Sequence, residues 1–145
     1  MLSRHVKWWS HQLSALMLAY ALSPWLPSSA PLAPLVLLGA VFPDIAENLL
    51  FAEHRSLHEL AIYLALPPLF VAAGLPHLLA FAYASIDHIL VDALTMRGVG
   101  VFGKRIRWVL KTNRLPDNLV PVLLHAALVY LATGGSPLTP LASPR

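Results

Sequence analysis

Ala72-Ala73-Gly74-Leu75-Pro76-His77-Leu78 lies in the middle of a run, residues 60–86, that contains no Asp, Glu, Lys or Arg. How this heptapeptide is read decides the fold. A helix that crosses a bilayer needs about 20 apolar residues, so the run can be one long span or two short ones. Gly74 suits a helix C-terminus and Pro76 suits the first turn of the next helix, which argues for a break and two helices. The third helix then runs over about 56–73, kinked at Pro67-Pro68, and the fourth over about 76–96.

Working outward, residues 12–43 are also uncharged, and Pro24, Pro27, Ser28, Ser29, Pro31 and Pro34 interrupt them. This pattern predicts helices over about 8–23 and 34–50 with a Pro/Ser loop between them. A fifth helix is expected over about 117–133. Residues 97–116 read as a basic, Gly-containing loop, and no strand alternation is visible. The reading is an all-α, polytopic membrane bundle of about five helices, a single domain over 1–133, and a loose Pro/Ser-rich tail over 134–145.

Composition agrees with a lipid environment. Of 145 residues, 57% are hydrophobic and 12% charged, with mean hydropathy +0.65. A soluble domain carries roughly 25% charged residues, and half of that does not cover a water-facing surface. With no cysteine in the chain, disulfides and thiolate metal sites are excluded.

The charges that do occur fall in blocks. If the N-terminus is inside and the chain crosses five times, all of them except Arg145 lie on or near one side. Arg4, Lys7, Arg97, Lys104, Arg105, Arg107, Lys111 and Arg114 mark that side as cytoplasmic. The expected location is the inner or plasma membrane, with the C-terminus outside. The first segment also has features of a signal peptide, but cleavage near Ser28-Ser29-Ala30 would remove His11.

The same side collects metal-ligand residue types. His88 and Asp92 are four apart on one helix and share a face, as do His54 and His58. Asp44 and Glu47 are three apart after Pro43, and His11 lies in the first turns of helix one. Asp87 points about 100° away from His88. Imidazole and carboxylate donors suit zinc, manganese or iron, and ligands four apart on a helix grip one ion. Acidic residues in a membrane helix are costly unless paired, coordinated or hydrated. His77 and His125 are expected to be hydrogen-bonded core histidines. The basic loop either sets topology against anionic headgroups or clamps a phosphate beside the metal. Nothing in it marks base recognition, so nucleic acid is not expected as a partner.

With these residues in view, the sequence resembles the family of membrane-bound, LexA-regulated metal-dependent hydrolases over about His11 to Phe102. The matching pieces keep the family's order: His11, then Phe42-Pro43-Asp44-Ile45, then His54-Arg55 with His58, then His88-Ile89-Leu90-Val91-Asp92 followed by Leu94-Thr95 and Gly98-Val99. A more distant similarity is to zinc-dependent phospholipase C and related nucleases. Two places depart from the family: Ala46 and Glu47 replace Asp-His, and the stretch from His54 to His58 is shortened.

The resemblance implies a metal-dependent hydrolase, zinc first, with His11, Asp44, His54, His58, His88 and Asp92 as ligands. Glu47 or Asp87 is then the candidate general base. Arg55 with Lys104, Arg105 and Arg107 would meet developing negative charge on a phosphoester or phospholipid substrate. Membrane lipids and an anionic headgroup or phosphorylated substrate are the expected partners. A non-catalytic membrane protein with a structural polar or metal cluster is the alternative, and a metal or proton transporter ranks third.

Overall fold

The computed structural model describes residues 5–23, 26, 32–50, 59–111 and 114–134. Its helices are α1 (His5–Leu22), α2 (Leu32–Leu49), α3 (Leu60–Leu64), α4 (Leu66–Ala72), α5 (Leu79–Ala93) and α6 (Leu115–Ala132). The protein is mostly helical, and the helices expected over 8–23, 34–50 and 117–133 are present within two or three residues. Residues 135–145 of the expected tail lie outside the described residues.

The chain does break at Gly74. This residue takes φ 71°, open to glycine at no cost. A 3₁₀ turn over Pro76–Leu78 follows and leads directly into α5. The kink expected at Pro67-Pro68 appears as the α3–α4 junction at Ala65. Two consecutive prolines remove two N–H donors from the helical ladder there.

Two features differ from the sequence reading. Residues 97–116 are not all loop. Val99–Val101 (β1) and Lys104–Ile106 (β2) pair antiparallel, Val99 opposite Ile106. Their connecting residues, Phe102 and Gly103, take φ 49° and 76°. Positive φ at both positions is the turn whose twist suits a two-residue hairpin. The hairpin is too short to show the alternation that reveals a strand in sequence. Its tip is tied down by the Phe102 N–H, which donates to Glu59 Oε1.

The second difference concerns length. Among the described residues, α2 and α6 are long and apolar enough to cross a membrane. The α3–α4 segment covers Leu60–Ala72, about 20 Å of helix at 1.5 Å per residue, against a hydrocarbon core of about 30 Å. By length and composition, α2 and α6 are thus the candidate spans among the described residues.

α2 and α5 cross closely because the contact is built from small residues. Gly39 lies against the Phe81 carbonyl and Ala84, and Ala40, Ala80 and Ala84 are buried around it. Such stripes let helix backbones approach without large side chains between them. α1 packs on α2, α5 and α6. A second cluster, Tyr63, Ile89 and Val99, joins α3, α5 and β1.

Candidate metal centre

The local chemistry starts at Pro43, inside α2. Proline has no N–H, so the carbonyl four residues back, on Gly39, loses its helical donor. Ser85 on α5 supplies one: its Oγ donates to Gly39 O at 3.1 Å. One turn further along α5, His88 Nδ1 donates to Ala40 O at 2.6 Å. A carbonyl only accepts, so Nδ1 carries the proton and the Nε2 lone pair points the other way. A second contact of this kind orients most metal-binding histidines.

Three helices meet at that point. His11 from α1 stacks on His88 with ring centroids 4.0 Å apart and 18° between planes. His11, His88 and Asp92 each offer a donor atom within 4.8 Å of the others. His11 Nε2 lies 3.6 Å from Asp92 Oδ1, and His88 Nε2 lies 3.8 Å from Asp44 Oδ1. Both separations exceed the hydrogen-bond range of about 3.2 Å. Two donors about 2.1 Å from a tetrahedral ion stand about 3.4 Å apart. The spacing therefore fits donors that share a cation better than donors that share a proton.

Burial points the same way. His11, His88 and Asp92 are 3%, 1% and 2% exposed. Among the described residues, buried His11 Nδ1 and, one turn on, Ser14 Oγ have no hydrogen-bond partner. Stacked imidazoles repel if both are charged, and two neutral rings present lone pairs. Asp44 differs, with 29% of its side chain exposed. It forms the open side of the cluster, and Trp8 Nε1 donates to its Oδ2 at 3.1 Å.

No family model, curated protein or solved structure matches this chain. The residues themselves carry what can be said of function.

Of the expected ligands, His11, His88 and Asp92 come together and Asp44 stands beside them. His54 and His58, together with Arg55, lie outside the described residues. Glu47 is buried on α2, three residues past Asp44, within electrostatic reach of buried Tyr63. Asp87 points elsewhere, as its 100° offset from His88 predicts. Its Oδ1 accepts from His125 Nε2 at 2.8 Å, and His125 Nδ1 meets Pro121 O at 2.8 Å. His125 is thus hydrogen-bonded as expected, whereas His77 is exposed in the 3₁₀ turn. Lys104, Arg105 and Arg107 are exposed along and just after β2.

Thr95 and Gly98 act on the backbone. Thr95 Oγ1 donates to Asp92 O at 2.7 Å, closing the end of α5. Gly98 has φ 65°, and a Cβ there would collide with Ile106 O. They turn the chain from the ligand helix into the hairpin.

Sequence reasoning missed Trp8, Ser85 and the Ala40 carbonyl. Trp8 was findable, three residues before His11 on the same helix face. Pro43 signals a freed Gly39 carbonyl, but not which residue answers it.

Proposed function

We propose that the protein is a membrane-embedded, metal-dependent hydrolase that holds its metal with His11, His88 and Asp92, Asp44 completing the set on the open side. The observation that carries this is a pair of donor separations, 3.6 Å between buried His11 and Asp92 and 3.8 Å between buried His88 and partly exposed Asp44, too long for hydrogen bonds and suited to a shared ion. Mixed imidazole and carboxylate donors favour zinc, with manganese and iron served by the same chemistry. When bound, such a metal acts as a Lewis acid and makes water nucleophilic at neutral pH.

Glu47, buried one turn from Asp44, is the candidate base from this chain. The exposed Lys104, Arg105 and Arg107 follow α5 closely in the chain and suit a phosphoester, free or in a lipid headgroup. Arg55, His54 and His58 keep the roles that the family resemblance implies. The membrane reading rests on outward-facing apolar side chains. Only 17% of the apolar window in α6 is buried, unlike a soluble core helix, and Leu123, Leu124, Leu128 and Leu131 are exposed on it. The basic residues between Arg97 and Arg114 support a site that opens to the cytoplasmic side.

A structural metal cluster is the second reading, favoured by the near-complete burial of three donors, since structural sites are closed. Elemental analysis of the purified protein, wild type and Asp92→Ala, combined with hydrolysis of bis(p-nitrophenyl) phosphate, separates the two. Metal lost in Asp92→Ala together with metal-dependent hydrolysis in the wild type supports the hydrolase. Bound metal without hydrolysis favours the structural role, and absence of metal from the wild type overturns both.

A further inference from the structure

α6 packs mainly on α1. It meets α5 through the bond from His125 to Asp87, and beside that bond lies a cleft of about 400 Å³. Cavities of about 300–1,000 Å³ hold small molecules. Leu90, Leu94, Ile106 and Trp108 line this one, together with Arg107. Leu90, Ile106 and Trp108 are about half exposed or more, so the cleft opens outward. For a membrane-embedded chain, outward means lipid.

The two ends of the cleft differ in charge. Trp108 N–H donates to Thr95 O at 3.0 Å and Leu110 N–H to Leu94 O at 3.1 Å. These bonds lay Arg107 and Trp108 beside the C-terminal end of α5. Asp87 lies two turns back along the helix, roughly 10 Å away. It is buried and bonded to His125, so that end closes on a paired carboxylate. The Arg107 end is basic. Between Asp92 and Asp117 the chain carries Arg97, Lys104, Arg105, Arg107, Lys111 and Arg114 and no Asp or Glu. All of these basic residues are exposed. Glu59 and Asp117 reach the segment, each accepting from a backbone N–H, of Phe102 and of Lys111. An excess of positive charge remains.

The occupant must answer both the apolar wall and this charge. A wholly apolar molecule leaves Arg107 unmatched, and a soluble anion leaves the wall unfilled. An amphiphile with an anionic head meets both. The guanidinium fork pairs bidentately with phosphate, and Trp side chains sit well at headgroup level. Basic pockets between membrane helices on the cytoplasmic side take anionic headgroups. We propose that this cleft binds one anionic phospholipid, its phosphate on Arg107 and one acyl chain along Leu90, Leu94 and Trp108 toward the Asp87–His125 pair. This lipid site rests on the membrane reading above and names the lipid for which the basic segment is suited; it does not depend on the metal.

Trp108 reports the test. The protein is reconstituted in phosphatidylcholine nanodiscs. It is titrated with phosphatidylglycerol or phosphatidylcholine brominated in mid-chain, a quencher of indole fluorescence. The Trp108 signal is the difference from Trp108→Phe. Brominated phosphatidylglycerol should half-quench at about tenfold lower mole fraction than brominated phosphatidylcholine, the selectivity expected of one charge-assisted bond. Arg107→Gln should bring the two lipids level. Lys104→Gln, on the same hairpin but outside the cleft, should leave most of the preference. Leu90→Phe, which narrows the cleft without touching a charge, should also remove it and serves if Arg107→Gln does not fold. Inorganic phosphate, added at matched ionic strength, should not displace the lipid. Equal quenching by the two lipids, equal losses in Arg107→Gln and Lys104→Gln, a preference that survives Leu90→Phe, or displacement by phosphate would each overturn the proposal. The titration reads no metal, so its failure leaves the metal reading standing, and a protein that reconstitutes without metal still tests the lipid site. A protein that does not reconstitute overturns the membrane reading and the lipid site with it.

Discussion

Replacing Gly39 with alanine tests whether the α2–α5 crossing positions the metal ligands. A Cβ at this position would stand 2.3 Å from the Phe81 carbonyl oxygen and 3.0 Å from Ala84 Cβ. The first neighbour is backbone, so the helices must separate by several tenths of an ångström or more. Overpacking of this kind costs about 1–3 kcal/mol. The Ser85 bond to Gly39 O, whose usual helical donor Pro43 removes, adds about 0.5–1.5 kcal/mol when it is stretched. Alanine returns about 0.8–1.0 kcal/mol through its better helix propensity. The balance is a destabilisation of about 0.5–4 kcal/mol. His88 is held through Ala40 O, the next residue along α2, so the same separation should also weaken metal binding. Loss of an orienting contact to a ligand typically lowers affinity about 10–100-fold. Chemical denaturation in detergent reads the first effect and competition with a chelator the second. Gly74→Ala is the control: it forces φ 71° on alanine but meets nothing within 4 Å, so only a backbone cost of about 1–2 kcal/mol is expected and metal affinity should not move. A Gly39→Ala protein as stable as wild type, with unchanged metal affinity, would refute the reasoning.

Two further perturbations probe the rest of the fold. His125→Ala leaves Asp87 buried with no partner for either oxygen among the described residues, and breaking a buried pair from one side costs about 3–5 kcal/mol, readable in the same denaturation experiment. Thr95→Val keeps the side-chain shape but removes the hydroxyl that donates to Asp92 O; a loss of about 1–2 kcal/mol is expected, with faster hydrogen exchange of the Gly98 amide as the local signature.

Much of the secondary structure was legible because its causes are local. Gly74 and Pro76 act on their own φ angles and N–H groups, so the break between α4 and α5 can be read from three residues. The shared face of His88 and Asp92 follows from helical periodicity alone. The hairpin over 99–106 was not legible. Three-residue strands are too short for an alternation to register, and Phe102 is an unusual residue for a turn with positive φ.

The site divides along the same line. Sequence alone determined which residue types were present and which faces of their own helices they shared. Periodicity also turned Asp87 away from His88. Tertiary structure decided which helices met. His11 comes to His88 through the packing of α1 on α5, and Asp87 finds His125 only because α6 lies within reach. Gly39 becomes a contact point only once Phe81 and Ala84 arrive opposite it. Dihedral preference and helical period act within a turn or two of chain. Pairings between residues dozens of positions apart depend on how whole helix surfaces fit, and no short stretch of sequence contains that information.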